Sequence, residues 1–265
     1  MATMRGYSTD DFTRDEYIVD GIRSVVYSAG KGPAVIYFHG GGTFHGFEWA
    51  RDWLDRLRVI VPHHPGFGES ADDPDIGSIA DYVAHYTALF EALGLTRFGL
   101  TGASMGGRLA AEFALMHGAM VNRLVLAAPA GLLAADCPPP NYPAMDPRDI
   151  PKLLVADPDF ITRFWPPDAD EAFMAERARE RTSTARVLAD SEAGDRKLRR
   201  RLPHLAMPTL ILWGGKDRVL LPGLAAHWGN AIPGSRAIMI EEAGHLLLDE
   251  SPRACKLAAD FLAEA

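Results

Sequence analysis

Three residues far apart in the chain, Ser104, Asp217 and His245, stand in surroundings that suit nucleophilic chemistry. Ser104 lies in TGASMGG (residues 101–107), after a short apolar run and before RLAAEFAL. Gly102, Gly106 and Gly107 remove the side chains that would block a sharp strand-to-helix turn. A serine hydroxyl is a weak nucleophile on its own, so it requires a base and an orienting acid. Asp217, in LWGGKDRVLLP, and His245, in EEAGHLLLDESP, each follow an apolar run late in the chain. Imidazole can take the serine proton, and a carboxylate can fix the imidazole tautomer and stabilise its charged form. A glycine triplet supplies a fourth part: His39-Gly40-Gly41-Gly42 closes the run Ala34–Phe38. Acyl transfer needs donors aimed at an oxyanion, and glycine backbone approaches closely enough to provide them. The expected donors are the amides of Gly41, its neighbour Gly42, and Met105, the residue after the nucleophile.

These residues need strands to carry them. Glu16–Val19 and Ile22–Tyr27 alternate around Asp20-Gly21, a dipeptide suited to a hairpin turn. Ala34–Phe38, Val59–Val61, Phe98–Thr101, Arg123–Ala127, Thr209–Trp213 and Ala237–Ile240 read as short buried strands. Helical patterns lie between them. Ser78 and Asp81 form a capping-box arrangement ahead of Ile79, Tyr82, Val83, Tyr86, Leu89, Phe90 and Leu93, with Gly94 as the stop. Ser251 and Pro252 open a last helix that places Ala254, Leu257, Ala258, Phe261 and Leu262 on one face. Strands alternating with helices imply crossover connections and a mostly parallel α/β sheet covered on both faces. In such a sheet, sites form at the carboxyl ends of the strands, where Ser104, Asp217 and His245 all fall.

One region breaks the alternation. Ten of the 19 prolines lie between Pro129 and Pro167, followed by a charged helical stretch from about Asp168 to Arg201. The expected organisation is a core of residues 1–130 and 206–265 with an inserted lid, or cap, over 131–205. Phe160, Phe164 and Trp165 in that insertion are candidate substrate walls, although aromatic anchoring of the lid explains them equally well.

At 265 residues, with 48% hydrophobic and 23% charged residues, the composition is that of a soluble globular protein. A net charge of −8 disfavours dedicated binding to nucleic acid or an anionic membrane, and leaves a small-molecule substrate as the expected partner. No segment has the length and apolarity of a signal peptide or a membrane span, so a cytoplasmic location is expected. Cys137 and Cys255 have no metal-type spacing and are read as reduced thiols. No metal site is expected. His63-His64 are neighbours on a strand and point to opposite faces, and zinc-protease, P-loop and dinucleotide motifs are absent from the sequence. The basic run Lys197, Arg199, Arg200, Arg201 reads as a solvated helix face. The sequence leaves the oligomeric state open.

Over about residues 16–264 the sequence resembles the α/β-hydrolase superfamily. The match is carried by HGGG at 39–42, HHPGFGES at 63–70, GASMGG at 102–107, WGGKDRVLLP at 213–222 and AGHLLLDESP at 243–252, in the chain order Ser104, Asp217, His245. The resemblance implies an eight-stranded core, a lid between the sixth and seventh strands, no cofactor, and hydrolysis through a covalent intermediate on Ser104. Within the superfamily the chain is similar to lidded esterases and to the C–C bond hydrolases of aromatic meta-cleavage products. The C–C group typically has Asn before the nucleophile and Trp after the histidine, where this chain has Ala103 and Leu246. Both are therefore candidate substrate contacts, and ester hydrolysis ranks ahead of C–C cleavage or acyl transfer. A ligand-binding protein that keeps the fold without turnover is the reading from another class.

Overall fold

The computed structural model describes residues 7–140, 145, 149–166, 168–189 and 191–264, with side chains of 191–195 excluded. Strand β1 (Thr13–Val19) pairs antiparallel with β2 (Ile22–Ala29) through Asp20-Gly21. Both turn residues have positive φ, 50° and 83°, as the twist-matched two-residue hairpin demands. The remaining strands are β3 (Ala34–Phe38), β4 (Arg58–Pro62), β5 (Phe98–Ala103), β6 (Val121–Ala127), β7 (Thr209–Gly214) and β8 (Arg236–Ile240). They form one eight-stranded sheet in the order β1-β2-β4-β3-β5-β6-β7-β8. The pairs β1–β2 and β2–β4 are antiparallel and all others are parallel. β7 is buried along its whole length, and so are most residues of β3, β5 and β6. Their side chains are covered on both faces, which is why they read as continuous apolar runs.

β5 continues two residues beyond the run Phe98–Thr101. Gly102 pairs with Phe38 of β3, and Ala103 with Ala127 of β6. Ladder hydrogen bonds hold this extension, and apolar side chains contribute little to it, so hydrophobicity alone cannot mark its end.

Helix α1 (Ile79–Ala92) starts where Ser78 Oγ accepts the Asp81 amide, and ends before Gly94, whose φ is +66°. Helix α2 (Met105–Met116) leaves directly from β5. Between β6 and β7 the chain makes short 3-10 turns at Pro151–Leu154 and Pro158–Arg163, then helices α3 (Glu171–Val187) and α4 (Ser191–Arg201). The charged stretch from 168 to 201 is thus two helices. Positions 141–144, 146–148 and 167 of the proline-rich stretch lie outside the described residues. In the basic run, Arg201 pairs with Glu112 of α2, and Arg199 donates to the Leu133 carbonyl at 2.7 Å. That face is tied to the protein body as well as solvated.

Helices α5 (Leu224–Ala231), α6 (Leu247–Glu250) and α7 (Pro252–Ala263) complete the fold. α7 presents Ala254, Cys255, Ala258, Ala259 and Leu262 to the core, while Leu257 and Phe261 lie at its margin. The face is rotated from the one marked by large apolar residues because small side chains let the backbone approach Trp53, whose indole N–H donates to the Cys255 carbonyl at 3.1 Å. Cys137 and Cys255 are both free and buried. Among the described residues no helix is long and apolar enough to cross a membrane.

Candidate active site

Ser104 stands between β5 and α2 with φ 54° and ψ −119°, a strained backbone for a non-glycine residue. Main-chain bonds fix it: its amide donates to Ala127 at 3.0 Å, and its carbonyl accepts from Ala130 at 2.9 Å. The neighbouring glycines are sterically required. A Cβ on Gly102 would lie 2.2 Å from the Gly106 carbonyl oxygen, and one on Gly106 would lie 2.1 Å from that of Phe38. Gly106→Ala should therefore cost about 1–3 kcal/mol of overpacking and lower the melting temperature by several degrees. A thermal melt indistinguishable from wild type would show that the turn relaxes freely.

The acid and base are assembled by the next strands along the sheet. Asp217 follows β7 with its side chain fully buried; its Oδ1 accepts the Val219 and Leu220 amides at 2.8 and 2.9 Å. His245, after β8, lies with Nδ1 2.8 Å from Asp217 Oδ2. Since the carboxylate accepts, Nδ1 carries the hydrogen and Nε2 is left to act as base. Glu250 secures the histidine loop by accepting the Gly244 and Ala156 amides at 2.8 and 2.6 Å, while burial pushes its own carboxyl above the usual range. Ser104 Oγ has no hydrogen bond among the described residues. It lines the same cavity as His245.

The glycine loop is shaped from below by histidines. His39 Nδ1 donates to its neighbour's carbonyl on Gly40 at 2.8 Å, and its Nε2 accepts the His64 amide at 3.0 Å. His64 in turn donates from Nε2 to the His39 carbonyl at 2.9 Å and accepts from the Tyr86 hydroxyl. Burial, with His64 and His63 beside it, holds His39 neutral well below the usual histidine range. Burial also brings His64 down to about 3 and His85 to about 4. In the unfolded chain such rings titrate near pH ~6.5. Below that pH the unfolded state binds more protons than the folded state, so stability falls as pH drops from ~6.5 to ~4. Denaturant unfolding across this window should lose about 1.4 kcal/mol per pH unit for each ring still held neutral. A flat profile would mean that these rings protonate in the fold.

From above, α3 holds the same loop. Thr184 Oγ1 donates to the Gly41 carbonyl at 3.3 Å. Glu180, 1% exposed, accepts the Thr43 amide and hydroxyl at 3.2 and 2.6 Å and the Gly68 amide at 3.0 Å, and pairs with Arg177. No hydrogen bond occupies the amides of Gly41, Gly42 or Met105 among the described residues, so all three are free to donate.

Ser104, His245, Gly41, Gly42, Met105, Ala103 and Leu246 line one cavity of about 590 Å³. Phe160, Phe164 and Trp165 are not on its wall. They close a second apolar cluster with Phe44, Val155, Ile161 and Phe173, where Trp165 meets Phe44 and Phe173 edge-on with centroids 5.4 and 5.2 Å apart. Anchoring of the inserted segment therefore accounts for these rings. The cavity shares Phe44 with that cluster and is otherwise walled by smaller apolar side chains, including Leu154, Ala185, Leu188 and Leu220, and it also receives Tyr37, His45, Arg181 and Asp249. The only sequence signal for Tyr37, His45 and Asp249 was their nearness to the HGGG and GHLLLDE segments, and Arg181, in α3, carried none. Away from the cavity, Asp136, Cys137 and His227 bring potential ligand atoms within 4.8 Å of one another. His227 Nε2 lies 3.0 Å from Asp136 Oδ1, a distance that a simple hydrogen bond explains.

A strained serine after β5, a histidine–aspartate pair after β7 and β8, and a glycine loop after β3 lie at the carboxyl edge of a parallel sheet, the arrangement a serine hydrolase would require. Residues 35–256 match the model of the alpha/beta hydrolase family, and the chain belongs to that family of enzymes. It is 27% identical over 237 residues to "Lipase 1" of Psychrobacter immobilis, covering 83% of this chain and 73% of that one. It is 29% identical over 270 residues to "2-hydroxy-6-oxo-2,4-heptadienoate hydrolase" of Pseudomonas putida, covering 93% and 95%. Among solved structures, an esterase from Exiguobacterium antarcticum shares the fold with a TM-score of 0.76 at 22% identity, covering 95% and 100%.

Proposed function

We propose that this hydrolase cleaves a carboxylic ester of a small or medium, largely apolar substrate through an acyl-enzyme on Ser104. The observation that carries the reading is the His245–Asp217 pair, with its tautomer set, opening onto the same apolar cavity as the strained Ser104. Ser104 Oγ attacks the ester carbonyl as His245 Nε2 takes its proton. The amides of Gly41 or Gly42 and of Met105 receive the developing oxyanion. His245 then gives the proton to the departing alkoxide, and water activated by the same imidazole releases the acid. Asp217 keeps Nδ1 protonated and the ring in place throughout. In this reading residues 131–205 act as the lid over a core of 1–130 and 206–265; support comes from Thr184, Ala185 and Leu188 of that segment at the cavity wall.

A fluorophosphonate probe should label wild type and leave Ser104→Ala unlabelled. Equal labelling of both would remove Ser104 as nucleophile. The second reading, C–C cleavage of a vinylogous 1,5-diketone by the same residues, is favoured by the long alignment with the Pseudomonas putida relative. Against it stand Ala103 and Leu246 at the cavity, which offer no side-chain amide or indole to a polar dienoate. A panel of p-nitrophenyl esters set beside such a diketone separates the two. Turnover of the diketone alone would reverse the order.

A further inference from the structure

Three polar side chains in the Ser104 cavity have no part in the proposed reaction. Tyr37 comes from β3, His45 from the loop after the glycine triplet, and Asp249 from α6. His45 Nδ1 lies 3.1 Å from Asp249 Oδ2, with side chains only 5% and 6% exposed. Tyr37 is 1% exposed with no hydrogen bond to its hydroxyl among the described residues, and His45 Nδ1 is buried and, although 3.1 Å from Asp249 Oδ2, is not aligned for a hydrogen bond to it. Burial, reinforced by Asp249, pushes the Tyr37 hydroxyl well up, so it stays a proton donor. Desolvated polar groups without partners are costly in a fold, and they become favourable contacts when a ligand supplies what they lack.

We infer that Tyr37, His45 and Asp249 form a subsite for an alcohol hydroxyl carried by the substrate, separate from the ester group at Ser104. The chemistry selects a neutral group. Phenol offers a donor, carboxylate an acceptor and imidazole either, and a hydroxyl both donates and accepts. A carboxylate on the substrate would meet Asp249, and an ammonium would share the cavity with Arg181. The inference rests on the ester-hydrolase reading and narrows it to hydroxylated esters. A site built to hydrogen-bond a hydroxyl discriminates strongly against the analogue lacking it, because its own polar groups are then left unpaired.

The test compares kcat/KM for two matched pairs. One pair, p-nitrophenyl hexanoate and p-nitrophenyl 6-hydroxyhexanoate, puts the hydroxyl on the acyl side. The other, propyl butyrate and 3-hydroxypropyl butyrate, puts it on the leaving alcohol. In at least one pair, wild type should favour the hydroxylated ester by about tenfold or more, and Tyr37→Phe and Asp249→Asn should each bring that ratio to within about twofold of one. Tyr37→Phe removes a single oxygen, so it keeps the test informative if Asp249→Asn folds poorly. Ratios near one for both pairs in wild type, or a preference that survives both variants, would overturn the subsite while leaving the hydrolase reading intact. No turnover of any of the four esters, with Ser104 unlabelled by fluorophosphonate, would overturn the hydrolase reading and the subsite together.

Discussion

His245→Ala should lower ester turnover by at least ~10³-fold while the chain stays folded. The side chain is held by the Asp217 carboxylate at 2.8 Å and lines a cavity, so its loss removes the base without cutting a main-chain bond. Without Nε2 the Ser104 hydroxyl keeps its proton, and the three free amides alone supply only the residual catalysis of an oxyanion site. The measurement is kcat on p-nitrophenyl butyrate, with circular dichroism as the control for folding. A loss under about tenfold with an intact spectrum would point to another base.

The second large effect is expected at Glu180, where stability and rate are coupled. Glu180→Ala strands the Arg177 guanidinium, whose side chain is 4% exposed, and removes the acceptor for the Thr43 and Gly68 amides. Removing one partner of a buried ion pair costs about 3–5 kcal/mol. The lower end applies here, because Glu176 remains 3.2 Å from Arg177. The same carboxylate ties Thr43, next to the glycine triplet, to α3, so kcat should fall with little change in KM, since the oxyanion donors act mainly in the transition state. Denaturant unfolding and steady-state kinetics read the two effects separately. In the pair Arg177→Met with Glu180→Leu, stability should recover only in part, because the buried guanidinium is gone while Glu176 loses its partner and the Thr43 and Gly68 amides still lack their acceptor, and kcat stays low. Recovery of both would make Glu180 a purely structural residue.

Much of the site was legible because its parts are local. A nucleophile turn requires glycines within two residues of Ser104, and backbone clashes of about 2 Å at Gly102 and Gly106 are the physical content of that pattern. Asp217 and His245 were legible through position, each lying just past a short apolar strand. The caps at Ser78 and Ser251 were equally local, each a side-chain oxygen receiving an amide three residues on. Residues whose roles depend on distant packing were harder to read. Phe160, Phe164 and Trp165 look the same in sequence whether they wall a cavity or anchor a segment, and only the position of Phe44 and Phe173 decides between the two. The buried face of α7 turned away from its largest apolar residues because Trp53, about 200 positions earlier, favours small neighbours.

By itself the sequence determined the parallel α/β sheet and the serine turn, and it located the acid and base proposed to serve that serine. Each follows from periodicity or steric rules acting over a few residues. The tertiary structure alone decided which groups meet across the chain: Glu180 with Thr43, 137 residues apart, and His45 with Asp249 in the cavity. Such contacts depend on how α3 and α6 settle on the sheet, and a polar contact between distant residues leaves no periodic trace in sequence. The chemistry of the proposed reaction is therefore written locally, and the shape and polarity of the cavity arise from packing.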